Sequence, residues 1–137
     1  MIELSNTNAQ TLAPGQSVIF NTVILHTGCA ECYRDNSSAV SLTQRNAIYE
    51  VGFNCNIGAT EAATAGQLAV TLNGALLQET TAIVTTTAAG DLDNVAATTF
   101  IKTCCCGNVA NTVLLTNTGT TEINVGENPR FSVKRIA

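Results

Sequence analysis

Six cysteines are the most reactive residues of this 137-residue chain. Cysteine thiolates bind zinc, a C-x-x-C pair can exchange disulfides, and two thiols can oxidise to a cross-link. The sequence therefore raises three chemistries: a metal site, a redox site and structural disulfides. The cysteines comprise a C-x-x-C pair, a single residue and a consecutive triplet: Cys29, Cys32, Cys55, Cys104, Cys105 and Cys106.

A zinc site would combine the C-x-x-C pair with two members of the triplet, namely Cys29, Cys32, Cys104 and Cys106. Structural zinc sites usually use two C-x-x-C pairs, and adjacent residues of an extended chain point to opposite faces. A thioredoxin-type redox pair needs a helix N-terminus to lower the thiol pKa, and the sequence predicts no helix here. We therefore expect no cofactor or metal and prefer disulfides, with a buried Cys55 and a free triplet as the simpler alternative.

The sequence has one histidine, His26, close to the C-x-x-C pair. As the base for a nucleophile it would need Cys29 or Cys32 together with an orienting carboxylate. Glu31 and Asp35 are its neighbours in sequence only, so we interpret His26 as a polar residue at the end of a strand.

Other catalytic or ligand-binding motifs are weak. Asp91 and Asp93 supply too few oxygens for calcium, and we interpret them as turn residues. The sequence contains no phosphate-binding glycine loop, catalytic triad order or paired catalytic carboxylates. We therefore predict that the protein is not an enzyme.

The composition indicates one all-β domain. The chain contains 21 threonines, and 45% of its residues are hydrophobic but only 12% are charged. Its net charge of −4, without a basic stripe, argues against nucleic-acid binding. Such a weakly charged surface also suggests that copies of the chain cover part of it.

The sequence predicts neither a membrane span nor a signal peptide. No apolar run approaches 18 residues, and the opening residues lack a basic region followed by an apolar one. We expect synthesis in a cytoplasm, with a function elsewhere after lysis or assembly.

Alternating apolar residues predict about eight to ten strands. The clearest alternation is in residues 49–57, and Asn73-Gly74 is a strong hairpin signal. Residues 17–27 are apolar on both faces, which predicts a strand covered on both sides. The chain ends in an apolar strand over residues 131–136, which we expect inside a sheet. The polar residues 1–16 are predicted to be a free arm, followed by a single domain over residues 17–137.

The order of these features resembles the trimeric jelly rolls of tumour necrosis factor and of the complement collagen-tailed heads. In particular, it is similar to the C-terminal domains of collagen-like spore-surface glycoproteins and to phage head-fibre or decoration proteins. The matching segments are residues 47–53 (AIYEVGF), residues 68–74 (LAVTLNG) and residues 131–137 (FSVKRIA). Residues 1–16 contain no collagen-like Gly-X-Y repeat, so we expect a polar arm in place of the stalk of the spore proteins.

The resemblance implies a two-sheet jelly roll that packs into a homotrimer. The trimer-core candidates are on its central and terminal strands: Tyr49, Val51, Phe53, Phe131 and Val133. It also implies that the turn after the central strand and the cysteine triplet lie at one end, so Cys55 could pair with a triplet member. The remaining cysteines could form a Cys29–Cys32 bridge or bridges between protomers, after leaving a reducing cytoplasm.

The resemblance implies a non-enzymatic structural protein on a virion surface, such as a capsid decoration or head-fibre subunit attached through residues 1–16. One alternative is a subunit of a fibre on a bacterial spore or cell surface. Another is a module that binds a cell-surface glycan or receptor.

Overall fold

A computed structural model describes residues 1–104 and 111–137 of the chain. The predictions for Cys105 and Cys106 concern residues outside these ranges. The described residues form thirteen strands and one short 3₁₀ helix, Gln78–Thr80. Seven strands form sheet A: β1 (Ile2–Ser5), β2 (Gln10–Leu12), β3 (Thr22–His26), β6 (Ile48–Ala59), β10 (Asp93–Lys102), β12 (Ile123–Val125) and β13 (Arg130–Arg135). Six form sheet B: β4 (Glu31–Tyr33), β5 (Val40–Leu42), β7 (Ala65–Leu72), β8 (Ala75–Leu76), β9 (Ala82–Thr85) and β11 (Asn111–Thr116).

The 12-residue strand β6 is the centre of sheet A. One of its edges pairs with β10, and the other pairs first with β13 and then with β12. Beyond β13 the sheet continues through β1 to β3, and beyond β12 it continues to β2. All these pairings are antiparallel. The strand order places β10 at one edge of the sheet and β3, together with β2, at the other.

Sheet B is arranged around β11 and β7, which are paired antiparallel. The order continues from β11 through β5 to β4, and the far edge of β7 pairs with β8 and β9. The predicted Asn73-Gly74 turn joins β7 to β8, and both of its residues have positive φ, 52° and 83°. This is the conformation that a tight two-residue hairpin requires.

The two sheets face each other across one apolar core, which makes the molecule an all-β jelly roll as the sequence predicts. The alternating residues of β6 are buried in this core, as are those of β13. Phe20 and Phe131 stack with ring centroids 5.4 Å apart. The strand count exceeds eight to ten because several strands, including β8, have only two or three residues.

Residues 1–16 are not a free arm, which corrects the sequence-based prediction. Strand β1 lies between β13 and β3, and the side chains of Ile2 and Leu4 are fully buried. Strand β1 forms because Ile2 and Leu4, two residues apart, bury their side chains on the same face. The polar residues that follow β1 make this short alternation hard to recognise in the sequence.

Residues 17–27 do not form one strand covered on both sides. They make isolated bridges at Ser17 and Phe20, and β3 begins only at Thr22. Val23, Ile24 and Leu25 are 41–47% exposed, because β3 lies at the edge of sheet A and a bulge interrupts its pairing with β1. The described residues include no helix of the length and apolarity needed to cross a membrane.

Candidate functional site

Three of the cysteines lie at one end of the sandwich, which we call the cysteine end. The turn of residues 43–47 connects the two segments that carry them. On one side of this turn, the Thr43 hydroxyl donates to the Cys29 carbonyl at 2.8 Å. On the other side, the Thr103 hydroxyl donates to the Gln44 carbonyl at 2.8 Å, directly before Cys104. Cys29, Cys32 and Cys104 are all exposed.

Cys55 lies away from the cysteine end. The predicted disulfide between Cys55 and a triplet member is therefore wrong for Cys104, the described member. Cys55 is buried in the core and pairs with Val95, nine residues before Cys104 on the antiparallel neighbour. At 3.3 Å per residue the separation is about 30 Å. Burial raises the pKa of the Cys55 thiol to about 12. Cys55 is therefore an apolar core residue with a protonated thiol.

The described cysteines form no disulfide. Among residues 1–104 and 111–137, no three His, Cys, Asp or Glu side chains are placed to hold a metal ion. The zinc set of Cys29, Cys32, Cys104 and Cys106 is therefore not assembled by its described members. Cys32 lies on β4 opposite Ser41, in a sheet and not at a helix N-terminus.

Glu31, which the sequence shows only as a neighbour of His26, is a buried carboxylate with two hydrogen-bond partners. Its side chain is 1% exposed, and Oε2 accepts a hydrogen bond from the Met1 ammonium at 2.8 Å. Its Oε1 accepts the backbone N–H of Arg135 at 2.9 Å. One carboxylate therefore joins β4 of sheet B to the first and last strands of the chain, and an acidic residue between two cysteines gives no sequence signal for this role.

His26 and the aspartates have no catalytic arrangement. His26 is the last residue of β3, and its Nε2 lies 3.1 Å from the Glu31 backbone carbonyl and not against a carboxylate. Asp91 is exposed in the turn before β10, and Asp93 is the first residue of that strand. His26 and Asp91 occupy the strand-end and turn positions that the sequence predicts, whereas Asp93, predicted in the turn, pairs with Ile57 at the start of β10.

The five trimer-core candidates do not form a contact surface between protomers. Their side chains are at most 5% exposed within a single chain, because they point from sheet A into the core. The neighbouring residues of the same strands point outward. The buried candidates to which this correction applies are Tyr49, Val51, Phe53, Phe131 and Val133.

The outward side of sheet A has a shallow depression of about 300 Å³, which we call the furrow. Gly52, the central residue of its floor, pairs with Thr98 on one side and Ser132 on the other. A Cβ at Gly52 would lie 3.0 Å from the Thr98 hydroxyl. Glu3 and Arg130 border the furrow and form a 2.7 Å salt bridge. Small and polar side chains therefore line the centre of the furrow, and the hydroxyls of Thr98 and Ser132 flank Gly52.

The edge formed by β9 and β10 exposes large apolar side chains. Phe100 is 63% exposed on the outward side of sheet A, and Ile83 is 62% exposed on the outward side of sheet B. The alternation in β10 contains the signal for Phe100, because Thr99 and Ile101 point into the core. Neither side chain packs into the core of its own chain.

A cleft of about 360 Å³ lies at the opposite end from the cysteines. The loop after β6 and the loop after β11 form its walls, and the Thr121 hydroxyl joins them by donating to the Ala65 carbonyl at 2.5 Å. Asn117 is fully buried and donates to the carbonyls of Leu12 and Thr121, which fixes one wall. The lining side chains are hydroxyls and carboxylates: Thr60, Glu61, Thr64, Thr120, Thr121 and Glu122.

Comparison with solved structures identifies the fold. The chain is similar to murine APRIL, a tumour-necrosis-factor-family protein, with a TM-score of 0.61 and 12% identity, over 97% of this chain and 96% of that one. The PRD1 vertex protein P5 matches with a TM-score of 0.48 and 10% identity, over 99% and 96% of the two chains. A family 35 carbohydrate-binding module from an environmental isolate matches with a TM-score of 0.46 and 13% identity, over 100% and 98%.

No protein-family model and no curated protein matches the chain. The similarity to APRIL confirms the tumour-necrosis-factor-like jelly roll and, at this identity, concerns the fold alone.

Proposed function

We propose that the protein is a non-enzymatic structural subunit that forms a homotrimer on the surface of a phage particle, as a capsid decoration or head-fibre subunit. The observation that carries the proposal is Phe100 of β10, a large apolar side chain that is 63% exposed on the outward side of sheet A. An aromatic side chain exposed in this way favours burial against another protein surface.

The partner that covers Phe100 is a second copy of the chain. The furrow lies beside Phe100 on the same side of sheet A and offers a depression lined by small and polar side chains, including Gly52, Thr98 and Ser132. When Phe100 of one copy packs in the furrow of the next, the contact is heterologous, and such contacts close a ring of three if the rotation between copies is threefold. The low charged fraction of 12% agrees with a subunit whose surface is partly covered.

The first experiment measures the mass of the full chain in solution by sedimentation equilibrium. We expect three times the 14.2 kDa mass of the chain. Phe100→Ser should give monomers with an unchanged β spectrum. The control is Ile19→Ser, which removes a 47% exposed apolar side chain near β2, away from the furrow, and should leave the trimer intact. A monomeric wild-type chain at high concentration would overturn the trimer.

The second experiment locates the protein. Mass spectrometry of phage particles purified from the producing strain should detect the chain, and antibodies against it should label the particle surface. Residues 1–16 are folded into sheet A, so attachment must use a folded surface and not a flexible arm. Detection on spores or the cell surface, but not on particles, would instead favour the spore or bacterial fibre subunit.

Glycan binding is the second candidate function, and the cleft is the observation that favours it. Its threonine hydroxyls can donate and accept hydrogen bonds, and the carboxylates of Glu61 and Glu122 can accept hydrogen bonds from sugar hydroxyls. A glycan array should show binding that Glu61→Gln with Glu122→Gln abolishes. A negative array would exclude this candidate and leave the structural role untouched.

A further inference from the structure

The charged side chains are divided between the two ends of the sandwich. Five carboxylates define the acidic end, and all are exposed. They lie beside one another, because the Thr60 backbone N–H donates to the Glu122 carbonyl and the Asp91 carbonyl packs against Gly58. The acidic end contains no lysine and no arginine. Four of its residues are in the loops after β6, β9, β11 and β12, and Asp93 is the first residue of β10: Glu61, Asp91, Asp93, Glu122 and Glu127.

The cysteine end has the opposite charge. Four of the six lysines and arginines are there, in the turn before β6 and at the ends of β10 and β13. Three carboxylates lie beside them. Glu50 is opposite Lys134 in the β6–β13 ladder, the buried Glu31 binds the Met1 ammonium, and the third is the terminal carboxylate of Ala137. The cations are Arg45, Lys102, Lys134 and Arg135.

The structure places every charged side chain of the protein, since residues 105–110 contain none. Those between the ends do not offset the division. Glu3 and Arg130 form a salt bridge, and Arg34 and Asp35 are neighbours in one turn. Glu79 accepts a hydrogen bond from Thr99. The molecule therefore has a negative end and a positive end.

The two ends do not neutralise each other within one copy. The 12-residue strand β6 runs from the cysteine end to the acidic end, a length of about 40 Å. Charges are screened over about 8 Å at physiological salt. Each end is therefore available to a second molecule. Another copy of the same chain carries a surface of the opposite charge at its other end.

We propose that the acidic end of one copy binds the cysteine end of the next, so that copies stack in an axial row. The inference rests on the structural, self-assembling role proposed above and gives it a second contact. Each end also exposes one large apolar side chain, Leu92 at 40% and Ile136 at 45%. A head-to-tail contact of this kind does not close on itself and builds an open row.

The contact is noncovalent. Cys29, Cys32 and Cys104 are exposed at the cysteine end, whereas the only described cysteine beyond that end, Cys55, is buried in the core. In a head-to-tail contact these thiols face the acidic end of the next copy, where the described residues include no exposed cysteine. Disulfides would instead join two cysteine ends and produce pairs, not rows.

The experiment follows the sedimentation coefficient of the full chain, with and without reductant, at two salt concentrations. At about 20 mM salt, where the screening length is roughly 20 Å, we expect a several-fold larger sedimentation coefficient than at about 0.5 M, where it is roughly 4 Å. Negative-stain microscopy should show rows at the lower concentration, and reductant should not change them.

Two charge-reversed variants give the decisive test. Glu61→Lys with Glu122→Lys should prevent rows, and so should Arg45→Glu with Lys102→Glu. An equimolar mixture of the two should associate again, because each retains one native end that matches the other's. The control is Asp35→Lys with Glu79→Lys, which changes the net charge as much as the first variant but lies away from the acidic end and should keep the rows.

The outcomes separate the two proposals. Trimers at both salt concentrations, without rows, would overturn the axial contact and support the trimer. Rows that persist in both charge-reversed variants, or that dissolve with reductant, would also overturn it. Monomers under all conditions would overturn both proposals.

Discussion

The two sides of sheet A have opposite compositions although they alternate along the same strands. The inward side has aromatic and branched side chains such as Tyr49, Val51 and Phe131, all fully buried. The outward side has Gly52, Thr98 and Ser132 around an open furrow. The comparison shows that one side of each strand holds the protomer together while the other side remains available for contact.

The division also explains why the resemblance gave the correct fold but pointed to buried residues as candidates for contact between copies. The motif of residues 47–53 contains the inward residues, which determine how the chain folds. The small and polar residues between them point outward, and the proposed contact between copies uses this outward side. The following substitutions test how sharply the two sides differ, using neighbouring residues on one strand.

The largest effect is expected for Phe131→Ala on β13. It removes a fully buried ring that stacks on Phe20 at 5.4 Å, and large-to-small core substitutions of this kind cost about 4 kcal/mol. Urea unfolding measures the loss. The outward neighbour Ser132 is the control, and Ser132→Ala should cost less than about 0.5 kcal/mol. Equal losses for the two variants would contradict the division between the sides.

Leu4→Ala on β1 should reduce the free energy of unfolding by about 3 kcal/mol. Leu4 is fully buried between the sheets, and the cavity left by alanine adds to the lost transfer energy. The measurement is again urea unfolding of the full chain. A loss below about 0.5 kcal/mol would show that residues 1–16 behave as an independent arm, as the sequence alone predicts.

Cys55 should make the protein less stable at high pH. Burial raises the thiol pKa from 9.0 to about 12, so the folded state retains the proton that the unfolded state releases. The stabilisation is complete below pH 9 and is lost as pH rises toward 12, at about 1.4 kcal/mol per unit. Unfolding at pH 8 to 11 should show this slope in wild type relative to Cys55→Val, which retains both tyrosines. If the free energy of unfolding has the same pH dependence in both proteins, the raised pKa of Cys55 is contradicted.

The smallest effect is expected for Glu3→Gln on the outward side of β1. It breaks the salt bridge to Arg130, whose side chain is 59% exposed, and such solvent-accessible pairs contribute less than about 1 kcal/mol. Together with Leu4→Ala, it compares two adjacent residues of one strand. A larger cost for Glu3→Gln than for Leu4→Ala would reverse the comparison.

The sequence predicts the fold class well because strand alternation and turn residues are local signals. The alternation of residues 49–57 and the Asn73-Gly74 turn appear in the structure as predicted. The sequence does not predict β1, since Ile2 and Leu4 are only two apolar residues and their partner strand β13 is at the other end of the chain. Glu31 is missed for the same reason, because its bonds to Met1 and Arg135 depend on long-range packing.

The candidate surfaces are predictable only in part. The outward direction of Phe100 follows from the pattern of β10, but the furrow depends on how three strands align Gly52, Thr98 and Ser132. The division of charge is also invisible in the sequence. Glu61, Asp91 and Glu127 are far apart along the chain and share one end only after antiparallel pairing.

The antiparallel pairing of β1 with β13 has a mechanical consequence. The outer ends of the two strands lie together at the cysteine end, where Ile2 pairs with Val133. A force that pulls these strand ends apart would load the hydrogen bonds of the ladder one after another, because they run perpendicular to the strands. The molecule would therefore yield at low force when pulled from both strand ends. Held through its two opposite ends, it would share the load across many hydrogen bonds at once.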